Sequence, residues 1–245
     1  MSIADAGTSR DGGEAGRSTC SSSTSLPPPG PKLPRRRRSP DDYPISLRLA
    51  GVPVLVVGGG RIAEGRVAGL AGAGARIRIV APRITPRLRR RVERGGLQWT
   101  ARPFELGDVR GARFVFVATD SREVNRAAAF AARALGLLVN AADMPELCDF
   151  TLPAIGRRGL LTVAVSSGGR SPTAARVARD AAVSAVGPAH VKLAALLARL
   201  REQLPAGSRA DAARALVAGG ALRLLAAGDR AGLARLVRRV SARGA

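Results

Sequence analysis

The chain has 245 residues, of which 46% are hydrophobic, so it is long enough and apolar enough to bury a core and is not disordered throughout. Its 40 lysines and arginines against 18 acidic residues give a net charge of +22, which predicts an anionic partner: a nucleic acid, a membrane surface, or a ligand carrying phosphates or carboxylates. Two cysteines cannot form a multi-disulfide framework, and no apolar run reaches the roughly 18 residues that span a bilayer, so we expect a cytoplasmic protein with no membrane contact and no export signal.

Residues 1–42 differ in composition from the rest of the chain. They are rich in Ser, Gly and Pro ("SSSTSLPPPGPKLPRRRR") and show almost no apolar periodicity. This composition predicts a disordered N-terminal extension outside the fold. Its arginine run is interpreted as part of a solvated tail rather than a binding site.

Residues 43–152 alternate between strand-like and helix-like segments. The strand-like segments are "GVPVLVVG", "ARIRIVAP", "LQWTAR", "RFVFVATD" and "LLVNAAD"; the helix-like ones are "GRVAGLAGAG", "TPRLRRRVERGG" and "SREVNRAAAFAARALG". Alternating strands and helices predict a parallel sheet covered by helices on both faces. We therefore expect an α/β fold whose first domain, over residues 43–152, is Rossmann-like.

The remainder of the chain begins with one more strand and ends in helices. "GLLTVAVSSGG" predicts a strand, and it leads into a helix in which Ser171 can cap and Pro172 can occupy the first turn. From Pro188 onward the pattern is wholly helical, with breaks at "LPAGS", "AGG" and "AGD". We expect a linking segment over residues 153–186 and a small all-helical domain of three or four helices over 187–245.

A glycine-rich turn follows the first strand. Gly58, Gly60 and Ala63 fit G-x-G-x-x-[G/A] between a strand and a helix, where the first glycine makes the turn, the second lets a pyrophosphate approach, and the small third residue lets helix pack on strand. The acidic residue expected after the second strand is missing, and Arg83 stands there instead. Arg83 can pair with the 2′-phosphate of NADP or lie at the surface, so the loop leaves the choice of dinucleotide open.

Candidate catalytic groups are few. His190 is the only histidine, which excludes multi-histidine metal sites, and its place at the start of a helix suggests a capping or solvated role. We therefore expect a carboxylate to transfer the proton. The candidate is Asp143, which follows the fifth strand, and ligands of open α/β sheets bind beyond the ends of the strands. The alternative is that Asp143 only forms a turn. No resident metal site is expected.

The segment "SSGGRSP" is a second polar cluster after a strand. Its backbone N–H groups can form an anion-binding turn, to which Arg170 adds positive charge. Ser167, Gly168 and Arg170 are therefore candidate substrate-binding residues, with a plain structural loop as the alternative. Ser167 lacks a neighbouring base and is not expected to act as a nucleophile.

Four segments together resemble one family. "VGGGRIAEGRVAGLAGAGARIRIVAP", "VFVATDSREVN", "VNAADMPELCDFTLPA" and "LTVAVSSGGRSP" are similar, in order and spacing, to the precorrin-2 dehydrogenase and sirohydrochlorin ferrochelatase module of siroheme synthases. The resemblance covers about residues 43–185. It implies NAD-dependent oxidation of precorrin-2 to sirohydrochlorin, with insertion of Fe²⁺ in some members.

The resemblance also implies roles for particular residues. Asp143 matches the aspartate implicated in dehydrogenation and chelation, and Ser167 matches a serine that is phosphorylated in some members. Family members are usually homodimers, in which the segment after the Rossmann domain makes contacts between subunits, so residues 153–186 are expected to be a dimerisation segment. No methyltransferase domain is expected, and S-adenosylmethionine is therefore not expected as a cofactor. The expected cofactor contacts are Gly58 and Gly60 from the glycine loop, Arg61, Ile62, Pro82 and Arg83 from the resemblance, and Thr119.

Two alternatives remain at this stage. The first is a dehydrogenase without chelatase activity. Turnover of sirohydrochlorin with ferrous ion would distinguish it from an enzyme that has both activities. The second is a nucleotide-sensing regulator whose basic helices contact DNA; it explains the charge but gives "NAADMPELCDF" no role. The low aromatic content disfavours single-stranded nucleic acid, and a tetrapyrrole with its many carboxylates accounts for the charge without any nucleic acid.

Overall fold

The structure, a computed structural model, describes residues 42–244, so the expected N-terminal extension lies outside the described residues except for its last position. Five strands form one sheet in the order β3-β2-β1-β4-β5, and every pairing within it is parallel. The predicted α/β fold is confirmed. The strands are β1 (Pro53–Val57), β2 (Arg76–Val80), β3 (Gln98–Thr100), β4 (Phe114–Val117) and β5 (Leu138–Ala141).

The centre of the sheet is buried on both faces. Val54, Leu55, Val56 and Val57 of β1 are all at most 2% exposed, which a strand achieves only when helices cover both faces of its sheet. Each such side chain contributes roughly 1.5–3 kcal/mol through burial. The continuous apolar run in the sequence is therefore explained by the central position of β1.

Three helices connect the strands: α1 (Arg61–Gly72), α2 (Pro86–Glu93) and α3 (Arg122–Ala134). The side chains of Thr85 and Ser121 cap α2 and α3 by accepting from the N–H groups of Leu88 and Val124. Such caps satisfy backbone donors that the first helical turn leaves free. By contrast, α1 begins after Gly60, which has no capping side chain.

A separate two-stranded sheet follows. The strands β6 (Ala154–Arg158) and β7 (Leu161–Val165) pair antiparallel, and α4 (Pro172–Ala185) packs on one face of the pair. A Cβ on Gly156 would lie 2.2 Å from Cγ2 of Val183, so helix and hairpin meet where the strand has no side chain. Sequence analysis missed β6, because its two arginines and a neighbouring proline obscure the alternation.

The C-terminal part is helical, as predicted, with α5 (Pro188–Gln203), α6 (Arg209–Ala218), α7 (Ala221–Ala227) and α8 (Arg230–Gly244). Its own small core centres on Leu200, Leu216 and Leu236. His190 caps α5 by accepting from the Gly187 N–H at 3.1 Å. Within residues 42–244 no single helix has the length and apolarity to cross a membrane; α4 and α5 pass that test only as a pair, and the chain bends by 75° between them.

Candidate functional site

Two glycines of the loop after β1, Gly58 and Gly59, lie where the backbone of neighbouring segments leaves no room for a side chain. Gly58 has φ of +113°, and a Cβ there would lie 2.2 Å from the carbonyl oxygen of Ala118, which follows β4. A Cβ on Gly59 would lie 2.0 Å from the carbonyl oxygen of Arg83. The loop is therefore packed between the ends of β4 and β2, and no side chain fits at either position.

Gly60 differs from its neighbours. Its φ of −79° is one that any residue adopts, and no atom of the described chain lies within 4 Å of a Cβ placed there. The space beside it lies at the start of α1, where the first N–H groups have no partner within the helix. This arrangement fits a phosphate group, because the free amides and the helix dipole attract an anion and the missing side chain lets it approach.

The loop borders a crevice of about 380 Å³. The crevice lies at the carboxyl ends of β1, β4 and β5, and the strand order reverses between β1 and β4. Open α/β sheets bind ligands at such a switch point. The lining residues come from the loops after these three strands and from the first turns of α1 and α3: Gly60, Arg61, Ile62, Ala118, Thr119, Asp120, Arg122, Asn125, Ala142, Asp143 and Met144.

Pro82 and Arg83 lie beside the glycine loop rather than in the lining of the crevice. Both are exposed, and the Thr85 N–H donates to the Gly59 carbonyl at 3.0 Å. The Thr85 hydroxyl in turn donates to Glu64 of α1 at 2.6 Å. These contacts hold the turn after β2 against the loop, so Arg83 adjoins the candidate dinucleotide site through its backbone.

Asp143 lies at the rim of the crevice with φ of +56°, the only positive φ of a non-glycine residue within residues 42–244. Sequence analysis missed its electrostatic neighbour Arg66, a half-buried residue of α1. Burial lowers the pKa of Arg66, while Asp143 and Cys148 act in the opposite direction. No pattern in the sequence singles out Arg66, because α1 also carries the charged residues Arg61 and Glu64.

The loop that carries Asp143 is anchored by buried groups. The Cys148 thiol accepts from the Ala141 N–H at 3.3 Å and donates to the Ala141 carbonyl at 3.1 Å, and burial raises the pKa of this thiol. Asp149 accepts from the Val139 N–H at 3.0 Å and lies 3.1 Å from Arg133 of α3. These contacts fix the C-terminal end of the loop against β5 and α3.

The predicted substrate-binding residues lie elsewhere, in the turn between β7 and α4. The N–H of Ser171 donates to Oγ of Ser167 at 2.9 Å, and the N–H of Gly168 donates to Oγ of Ser166 at 3.1 Å. The structure therefore does not bring Ser167, Gly168 and Arg170 into the lining of the Asp143 crevice, and their role stays a prediction. Among residues 42–244, no group of three or more His, Cys, Asp or Glu side chains has the arrangement of a metal site.

Comparisons with known proteins agree with this geometry. Residues 45–154 match a family model described as putative NAD(P)-binding. The chain is 42% identical over 162 residues to the siroheme synthase of Methylobacillus flagellatus, covering 66% of this chain and 35% of that protein. It is 41% identical over 164 residues to the siroheme synthase of Pseudomonas paraeruginosa, covering 67% and 35% respectively.

A solved structure described as SirC, precorrin-2 dehydrogenase, matches with a TM-score of 0.68 and 24% identity, covering 82% of this chain and 99% of that one. This likeness shows the fold. Together, the fold, the crevice and the family model define a Rossmann-type domain of the NAD(P)-binding class. Over about two thirds of its length the chain is a relative of siroheme synthases, so the expected family is confirmed. The chain spans about one third of the length of those relatives.

Proposed function

We propose that the chain is an NAD-dependent precorrin-2 dehydrogenase, which forms sirohydrochlorin for siroheme biosynthesis. The observation that carries this proposal is the crevice, which joins the open helix start at Gly60 to the Asp143 loop at one switch point. The names of the relatives supply the substrate class. The DNA-binding alternative gains no support from the relatives described above.

In this proposal the amides at the start of α1 hold the pyrophosphate, with Arg61 and Ile62 beside it and Arg83 next to the glycine loop. NAD⁺ bound there would supply the hydride acceptor for the oxidation of precorrin-2. Asp143 takes the accompanying proton, and Arg66 is its positively charged neighbour. Orientation of the two reactants across the crevice supplies much of the rate.

The finer features are part of the same proposal. Fe²⁺ enters as a substrate of a second reaction, in which Asp143 takes pyrrole protons as the metal is inserted into sirohydrochlorin. The chain acts as a homodimer in the cytoplasm. Exposed arginines, Arg170 among them, attract the carboxylates of the tetrapyrrole.

Anaerobic turnover of precorrin-2 with NAD⁺ tests the proposal. We expect the wild type to form NADH and Asp143→Ala to lose about 10²–10⁴-fold in rate, the usual contribution of a general base. Asp143→Asn is the matched control for shape, because asparagine also tolerates positive φ, and it should lose as much. Turnover at the wild-type rate in both variants would remove Asp143 from the mechanism, and no NADH from the wild type would refute the proposed activity.

A further inference from the structure

Asn125, on α3, makes side-chain hydrogen bonds to one residue of the crevice, Thr119. Its side chain is 4% exposed, and its Oδ1 accepts from both the N–H (3.3 Å) and the hydroxyl (2.6 Å) of Thr119. Its Nδ2 donates to the Thr119 carbonyl at 3.0 Å. One buried amide therefore binds three polar groups of the loop that follows β4.

These contacts determine which way the amide of Asn125 points. A backbone N–H can only donate and a carbonyl can only accept, so Oδ1 must face the Thr119 N–H and Nδ2 its carbonyl. The hydroxyl of Thr119 lies 2.6 Å from the same Oδ1 and donates to it, because an amide oxygen only accepts. Its other neighbour is the Ser121 carbonyl at 3.1 Å, which is also an acceptor. The single hydroxyl proton is therefore directed to the protein, and the oxygen keeps its lone pairs for another partner.

We propose that Asn125 is a positioning residue that makes Thr119 a hydrogen-bond acceptor only, so that this point of the crevice recognises a donor group of the dinucleotide. Both residues line the crevice. A pyrophosphate oxygen has no proton to donate, so Thr119 does not hold that part of the ligand. The donors that a nicotinamide dinucleotide offers are its ribose hydroxyls, the amide N–H of its nicotinamide ring and the amino group of its adenine. This inference rests on the proposed function.

The first test is the affinity for NAD⁺ of the wild type, Thr119→Val and Thr119→Ser. Valine keeps the branched shape and removes the acceptor, so we expect binding about 5–10-fold weaker. Serine keeps the hydroxyl and should bind within about 2-fold of the wild type. Thermal unfolding of each variant shows whether the fold is intact. Equal affinity of Thr119→Val and the wild type would overturn the inference.

A second ligand separates the ring amide from the other donors. In 3-acetylpyridine adenine dinucleotide a methyl group replaces the amide nitrogen, while the ribose hydroxyls and the adenine amino group are unchanged. If the ring amide is the donor, Thr119→Val loses no affinity for this analogue; if a ribose hydroxyl or the adenine amino group is the donor, it loses as much as it does for NAD⁺. Either result supports the inference, and the first assigns the donor to the ring amide.

The role of Asn125 is tested by repeating Thr119→Val in an Asn125→Ala background. Without the amide the hydroxyl keeps only the longer contact to the Ser121 carbonyl and is held less firmly, so the valine substitution should weaken NAD⁺ binding less than it does alone. An equal loss in both backgrounds would show that Asn125 does not position the hydroxyl. A wild type that binds no NAD⁺ would refute the proposed function and this inference together, whereas normal binding that Thr119→Val leaves unchanged refutes only the inference.

Discussion

Asp143 holds a backbone conformation that costs an ordinary residue roughly 1–2 kcal/mol. Its φ of +56° lies in the left-handed region, where aspartate is tolerated better than most residues. The conformation persists because buried contacts of Cys148 and Asp149 hold the end of the same loop. A strained residue at the rim of a crevice is typical of functional sites, and here the strain sets where the carboxylate lies.

Gly60 gives the sharpest prediction at the scale of single residues. In Gly60→Ala no described atom meets the added methyl group and φ of −79° suits alanine, so we expect wild-type thermal stability. The methyl group would occupy the space through which a pyrophosphate reaches the helix start, so NAD⁺ binding should weaken at least about 10-fold. Thermal unfolding and an NAD⁺ titration measure the two effects.

Gly65→Ala is the matched control for that experiment. Gly65 is also exposed on α1 and has no described atom within 4 Å of an added Cβ, but it does not line the crevice. We expect it to bind NAD⁺ as the wild type does. If Gly60→Ala also binds NAD⁺ unchanged, the dinucleotide does not approach the helix start, and the interpretation of the glycine loop is wrong.

At the scale of elements, the connection between β3 and β4 depends on Asp108 in a short 3₁₀ turn (Leu106–Val109). Its buried carboxylate accepts from Arg102 at 2.7 and 2.9 Å and from the Glu105 N–H at 2.9 Å. Burial by itself raises the pKa of Asp108, but these hydrogen bonds and the charges of Arg102 and Arg78 outweigh it and hold the pKa below its usual value.

This lowered pKa predicts how stability depends on pH. A carboxyl whose pKa is lower in the folded chain than in the unfolded one stabilises above the unfolded pKa, near 3.9, and loses that contribution as pH falls through the folded pKa. We expect the free energy of unfolding of Asp108→Asn to be lower than that of the wild type by roughly 1–3 kcal/mol at pH 7. Below about pH 4 the free energy of unfolding of the variant should depend less on pH than that of the wild type. Urea unfolding at several pH values measures this.

Asp211→Asn serves as the control for the acid-stability experiment. Asp211 pairs with Arg214 on the surface of α6, where its side chain is 75% exposed, and such pairs contribute little. We expect unchanged unfolding at every pH. Identical pH dependence of the wild type and Asp108→Asn would show that the Asp108 carboxylate does not support this connection.

The elements also show where sequence patterns were sufficient. The five parallel strands were found from their apolar and β-branched residues, although β3 is short and has no buried residue. Ser171 and His190 cap helices as expected, because capping depends on neighbouring residues alone. The strand β6 was missed because its arginines interrupt the pattern, and its partner β7 therefore could not be recognised as half of a hairpin. A two-stranded pair with one packed face carries a weak periodic signal.

At the scale of the whole molecule, the hairpin of β6 and β7 with α4 buries little within one chain. In α4 only Ala175 is buried, while Val177 is 66% exposed and Ile155 of β6 is 45% exposed. An isolated two-stranded sheet is marginally stable in water. A second copy of the chain that covers these residues would supply the missing burial, which supports the proposed homodimer.

Val177→Asp tests this assembly. We expect the wild type to be a dimer by light scattering and Val177→Asp to be a monomer, because a buried unpaired carboxylate opposes association. Val217→Asp, on α6 and 55% exposed, is a control that should remain dimeric. A monomeric wild type, or an unchanged dimer in Val177→Asp, would contradict the proposed interface.

The class of fold, the glycine loop and the family could all be predicted from the sequence, because they depend on local patterns: apolar runs, spacing of small residues and matching motifs. Which residues meet at the crevice depends on the folded chain. Gly60, Asn125 and Asp143 come from the start of α1, from α3 and from the end of β5, and they line one crevice because of the strand order, which brings β4 next to β1 after the chain has left the sheet at β3. Contacts between residues so far apart in the chain leave no local trace in a single sequence.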